Sequence, residues 1–91
     1  MKNKNHQLPH LLDYEEVVLS IVSPAWVNAL KQNGRFSSMH EAHSVIQEEF
    51  EELWTEIKKK PQDRSKAALR EEASQLAAVV IEFIREFTSE N

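Results

Sequence analysis

Glu48-Glu49-Phe50-Glu51-Glu52, met again further on by Glu71-Glu72-Ala73-Ser74-Gln75, is the pair of acidic steps on which the fold turns. Around the first, Ala42, Val45, Ile46, Phe50, Leu53, Trp54 and Ile57 recur at three- and four-residue intervals; around the second, Leu69, Leu76, Val79, Val80, Phe83 and Phe87 do the same. That period is the signature of amphipathic helices with one apolar stripe each. Placing residues at about 100° apiece puts Glu49 roughly 50° from the centre of its stripe and Glu72 about 40° from the centre of its own. Glu48 and Glu51 point outward. Glu52 and Glu56 lie farther round the flank of Glu49, while Gln75, Glu82 and Glu86 continue the flank of Glu72.

Working outward, Ser38-Met39-His40-Glu41 has the capping-box pattern, in which a Ser oxygen and a Glu carboxylate satisfy exposed amides reciprocally. Lys58-Lys59-Lys60 suits a helix C-terminus, Pro61 ends the helix, and Asp63 or Ser65 is placed to cap the next. Upstream, apolar residues from Leu11 to Val22 are too dense for one stripe and imply contacts on more than one side. Val17–Val22 also fits a buried strand, but no second strand candidate exists to pair with it. Ser23-Pro24 predicts a helix restart with a break or kink, and Gly34 a C-terminal stop near Asn33. The expectation is an all-α antiparallel helical bundle with helices over about 9–22, 24–33, 38–60 and 64–88, forming one domain over 9–91 after a flexible tail at 1–8. A chain of 91 residues buries only roughly 60 to 65% of its unfolded surface alone, so oligomerisation is expected to complete the core.

The formal charge of -4, with 15 acidic against 11 basic residues, provides no basic face for nucleic acid. Zero cysteines exclude disulfides and thiolate zinc sites and fit a reducing compartment, so a cytoplasmic location is expected. Pro9, Asp13, Glu15 and Glu16 interrupt the apolar run that a signal peptide beginning at Lys2 and Lys4 would need, and no stretch is long enough for a membrane span.

Carboxylates brought together in a partly apolar setting are raised in energy by desolvation and mutual repulsion, so a compensating cation is expected. Mg²⁺ prefers oxygen ligands and shares its coordination with substrate phosphates. A solvated acidic face, steadied by neighbouring lysines, is the commoner origin of such patterns. The inward placement of Glu49 and Glu72 weighs against it here. His40 and His43, one turn apart, are read as helix-start or packing residues rather than metal ligands. Trp26 and Trp54 suit either nucleobase stacking or the more usual core packing. Ferritin-like di-iron chemistry is excluded because no histidine lies three residues after a glutamate. With no Gly-rich phosphate loop, Ser-His-Asp set or Cys nucleophile, metal-based chemistry is the enzymatic option in view.

Glu48-Glu49-x-x-Glu52 followed by Glu72-x-x-Gln75 resembles the EExxE…ExxD motif of the MazG-like all-α nucleoside triphosphate pyrophosphohydrolases, over roughly Ser38 to Phe87. The resemblance implies that Glu49, Glu52 and Glu72 are catalytic and ligate Mg²⁺, or Mn²⁺ in its place, with Gln75 standing where the family has Asp. It also implies hydrolysis of a nucleoside triphosphate to the monophosphate and pyrophosphate by a homodimer or homotetramer. Arg70 and Lys59 are the candidates for the substrate phosphates. An amide at Gln75 binds a hard cation without adding charge, so metal affinity and activation of water are expected to fall. That leaves three outcomes: a weak enzyme, one using Glu56 or Glu82 as a substitute acid, or a silent relative kept for binding. The alternative from another class is a non-catalytic interaction or nucleotide-binding protein that oligomerises through its apolar helices.

Overall fold

The computed structural model describes residues 10–90; the tail expected at 1–8 and the helix start expected at Pro9 lie outside them. All regular structure among the described residues is helical. α1 (Tyr14–Glu16) runs through a π-helical stretch (Val17–Val22) into α2 (Ser23–Asn33), and α3 (Met39–Ile57) is joined to α4 (Lys66–Phe87) by a 3₁₀ turn (Pro61–Asp63). No helix among the described residues is long and apolar enough to cross a membrane.

Most boundaries follow from local chemistry. Asp13 caps α1 by accepting from the amides of Glu15 and Glu16 at 3.0 and 3.3 Å, so helix begins at Tyr14, later than the density of apolar residues suggested. Gly34 closes α2 at φ 67°, ψ -150°, a conformation that side-chain-bearing residues avoid, and its N–H donates to the Leu30 carbonyl at 2.9 Å. Ser38 caps α3 by accepting from the Glu41 amide at 3.0 Å. The return half of the expected box is displaced: Glu41 takes the amide and hydroxyl of Ser37 rather than the Ser38 amide, which lowers the Glu41 pKa through those bonds. α3 stops at Ile57, short of the lysines, where the Arg64 guanidinium donates to the Ile57 carbonyl at 2.9 Å. Ser65, not Asp63, caps α4 through the Ala68 amide at 3.1 Å.

The break expected at Ser23-Pro24 does not occur. Val22 and Ser23 are both right-handed helical, and the Ser23 N–H reaches back five residues to the Val18 carbonyl. A proline inside an α-helix strands one acceptor and presses its ring on the carbonyl four residues back. The wider π turn takes up that misfit, so the helix passes through Pro24 unbroken.

α4 is the hub. α3 folds back on it as an antiparallel hairpin and α2 packs on it from another side, while α2 and α3 do not pack on each other. Only Ala42, Ala78 and Val79 are buried among the described apolar residues, and no large side chain is fully enclosed. Phe50, Trp54 and Ile57 on α3, with Val80, Ile81 and Ile84 on α4, stand in solvent to between 37 and 57% of their surface. The helices are amphipathic as expected, yet much of their apolar surface is uncovered in the single chain.

Candidate metal centre

The antiparallel pairing of α3 and α4 brings Glu49, Glu52 and Glu72 together. Each offers a carboxylate oxygen, and the three oxygens lie within 4.8 Å of one another. Glu49 and Glu72 are half-buried and Glu52 is exposed, while Glu48, Glu51 and Glu71 face solvent. The division follows from the helical placement, because three-residue steps keep Glu49 and Glu52 on one flank and the hairpin sets that flank against Glu72.

The electrostatics of the group are unbalanced. Burial, then the charges of Glu52, Glu72 and Glu48, push the Glu49 carboxyl above its ordinary range. Burial also raises Glu72, followed by the neighbouring Glu52 carboxyl and the charges around it. One oxygen of Glu49 and one of Glu72 are buried with no hydrogen-bond partner. An unserved buried carboxylate oxygen costs about 1 to 3 kcal/mol or more, and here two face the same group. Three hard oxygens with two unserved fit a divalent cation such as Mg²⁺, whose preference is for oxygen ligands and retained waters.

The remaining candidates are placed less simply. Gln75 is half-buried and its amide donates to Glu71 at 3.4 Å, yet it lines, together with Glu49, Ser74 and α2, a cleft of about 740 Å³. Lys59 pairs with Glu56 at 2.9 Å in the turn, and Arg70 is exposed two residues before Glu72. His40 and His43 are exposed and belong to no metal-competent group among the described residues. Neither substitute acid joins the centre: Glu56 serves Lys59, and Glu82 is occupied elsewhere.

Glu82 belongs to a second carboxylate cluster whose partners the helical placement gave no sign of. It is 5% exposed and accepts from the Trp26 indole at 2.8 Å and from Arg85 at 3.0 and 3.1 Å. The Arg85 guanidinium also lies 5.5 Å from the Trp26 ring centre, so Trp26 is fixed by its polar edge and by one face. Trp54, by contrast, is half exposed. A smaller cavity of about 190 Å³ fills the gap between α2 and α3, walled by Trp26, Phe36, Glu82 and, on its other side, Glu49. The signal in the sequence was Trp26 itself, an indole N–H that needs an acceptor once it is covered.

Comparison with protein-family models, with curated proteins and with solved structures finds no match for this chain.

Proposed function

We propose that the protein is a Mg²⁺-dependent nucleoside triphosphate pyrophosphohydrolase of reduced metal affinity, its cation held by Glu49, Glu52 and Glu72. The observation that carries this reading is the meeting of three carboxylate oxygens within 4.8 Å across two helices. The unserved oxygens of Glu49 and Glu72 support it, as does the neighbouring cleft of about 740 Å³ that Glu49 and Gln75 line, a size within the usual range of ligand pockets. When bound, a divalent ion neutralises phosphate charge and lowers the pKa of water.

The chain's own part is to hold that ion from both helices and to leave the cleft open to phosphates. Gln75 supplies an amide oxygen once it turns from Glu71. Arg70 is free to reach a phosphate, whereas Lys59 must first leave Glu56. The test is pyrophosphate release from a panel of NTPs and dNTPs with Mg²⁺ or Mn²⁺. Release that disappears in Glu49→Ala and rises in Gln75→Asp is the expected result. No release from any nucleotide, together with no heat on titrating Mg²⁺ alone, would sink the proposal.

A second reading rests on a different observation, the exposed apolar residues Phe50, Trp54, Ile57, Val80, Ile81 and Ile84. They support a helical interaction protein that forms homodimers or homotetramers through α3 and α4. Light scattering separates the possibilities: a multimer that becomes monomeric in Phe50→Glu or Ile84→Glu supports self-association, and a wild-type monomer overturns it. Self-association without pyrophosphate release favours this reading over the enzyme.

A further inference from the structure

Two apolar patches of opposite charge lie on the chain and do not meet within it. Leu11, Leu12, Tyr14, Val18 and Leu19 stand in solvent to between 42 and 80% of their surface, along an arm over 11–19 that leads into α2. Asp13, Glu15 and Glu16 lie among them, and over 11–30 there is no lysine or arginine. Phe50, Trp54 and Ile57 form the second patch, a stripe at i, i+4 and i+7 that spans about 60° of α3 and is 39 to 57% exposed. It runs directly into the turn before α4, where Lys58, Lys59, Lys60, Arg64 and Lys66 stand against the single acid Asp63. α1 packs on no described element except the π-helical stretch that continues it. Among the described residues, Asp13, Glu15 and Glu16 form no ion pair, and of the five cations in the turn only Lys59 does.

We propose that these patches meet between two copies of the chain, the acidic 11–19 arm of each docking on the apolar stripe and basic turn of the other. This rests on the self-association reading above and adds which surfaces join. Charge complementarity selects the occupant. An arm laid on a second arm opposes acid to acid, and a turn against a second turn opposes lysine to lysine, whereas an arm on a turn neutralises both. A chain does not serve itself, because its own α1 packs on neither α3 nor α4. A two-fold axis then makes the exchange reciprocal, so that the same contact is used twice.

The area favours the reciprocal pair over a one-sided contact. The three side chains of the stripe, about half exposed, offer on the order of 300 Å². One arm on one stripe therefore falls short of the roughly 800 Å² that each partner of a stable dimer buries. When each chain covers both its arm and its stripe, the five further apolar side chains of the arm bring the pair to that size. Apolar burial holds such a pair at any ionic strength. The charges decide which surfaces join, and their share weakens as salt shortens the screening length below about 8 Å.

Light scattering on the full chain, with the charges of each patch reversed, tests this. Glu15→Lys with Glu16→Lys should weaken wild-type self-association about tenfold or more, and Lys58→Glu with Lys60→Glu should do the same. All four residues are exposed, and circular dichroism checks that each variant keeps its helices. Lys58 and Lys60 lie outside α3 and α4, so their reversal tests the contact even where the arm variant frays α1. An equimolar mixture of the two variants should restore association, because every arm then faces a turn of opposite sign. A mixture no more associated than its components would overturn the proposal. Wild-type multimers that grow without limit as concentration rises would overturn the reciprocal pairing, since they are what an unreturned arm builds. Association indifferent to both reversals yet lost in Ile84→Glu would overturn the arm contact and leave self-association through α3 and α4 standing. A wild-type monomer at every concentration would overturn both.

Discussion

Two groups of glutamates on the same helix have opposite surroundings. Glu82 is the more deeply covered, yet its carboxylate is held down at about 2 because an indole and a guanidinium donate to it. Glu72, with Glu49 opposite on α3, has its pKa raised, first by burial, and each of the two keeps a covered oxygen without a donor. Burial alone does not decide whether an acid is a structural element or a liability. What decides it is whether donors arrive with the fold, and around Glu49 and Glu72 none does.

The widest separation between the two groups should appear on removing an acid from each. Glu82→Ala leaves the Trp26 N–H without an acceptor and Arg85 without its partner. It should destabilise by about 2 to 4 kcal/mol, reduced from a fully buried pair because Arg85 is half exposed, in urea melts followed by circular dichroism. Glu49→Gln, which removes a repelled charge and sacrifices no donor, should leave the metal-free protein as stable as the wild type or more so. Equal losses from the two variants would erase the distinction.

A somewhat smaller effect is expected from the cation. Mg²⁺ at tenfold its dissociation constant should stabilise the wild type by about 1.4 kcal/mol, a shift of several degrees in Tm for a chain of this size, and should do nothing for Glu49→Ala. Gln75→Asp should reach the same shift at lower Mg²⁺ concentration. A cation response centred on Glu82 instead would reverse the roles assigned to the two groups.

The smallest effect is in the pH dependence without metal. Carboxyls raised in the fold contribute stability below the unfolded value near 4.5, and that contribution is lost as pH climbs through their folded values. Glu82, lowered to about 2, behaves in reverse: its contribution is present above 4.5 and fades as pH falls toward 2. Thermal melts should therefore show the metal-free wild type losing stability on the alkaline side of 4.5, less steeply in Glu49→Gln, and losing the Glu82 contribution on the acid side.

How much of this was legible depended on range along the chain. Ser38 and Ser65 accept from amides three residues on, Gly34 donates its own N–H to a carbonyl four residues back, and each starts or ends a helix where its chemistry predicts. The meeting of Glu49, Glu52 and Glu72 was legible too, because a helical hairpin needs only the period of each helix and one tight turn. At Ser23-Pro24 local chemistry misled, since Pro24 imposes a break only on an α-helix and the preceding turns are π. Trp26 with Glu82, and Phe36 with Glu86, bridge 56 and 50 residues; helical placement set both acids on the flank of Glu72 but carried no information about what α2 and the following loop would bring.

The residues covered to the last of their surface, Ala42 and Ala78, are both alanines, one on each arm of the hairpin. Helix separation is set by the side chains between the axes, and a methyl group is the thinnest spacer that still has a defined shape. Covered alanines offer little grip and almost no slack. The hairpin carries Glu49 with Glu52 on one arm and Glu72 on the other, and each arm also carries one alanine with no surface left to solvent. A single bulkier residue at Ala78 has no free surface to grow into and would shift α4 against its neighbours without touching an acid.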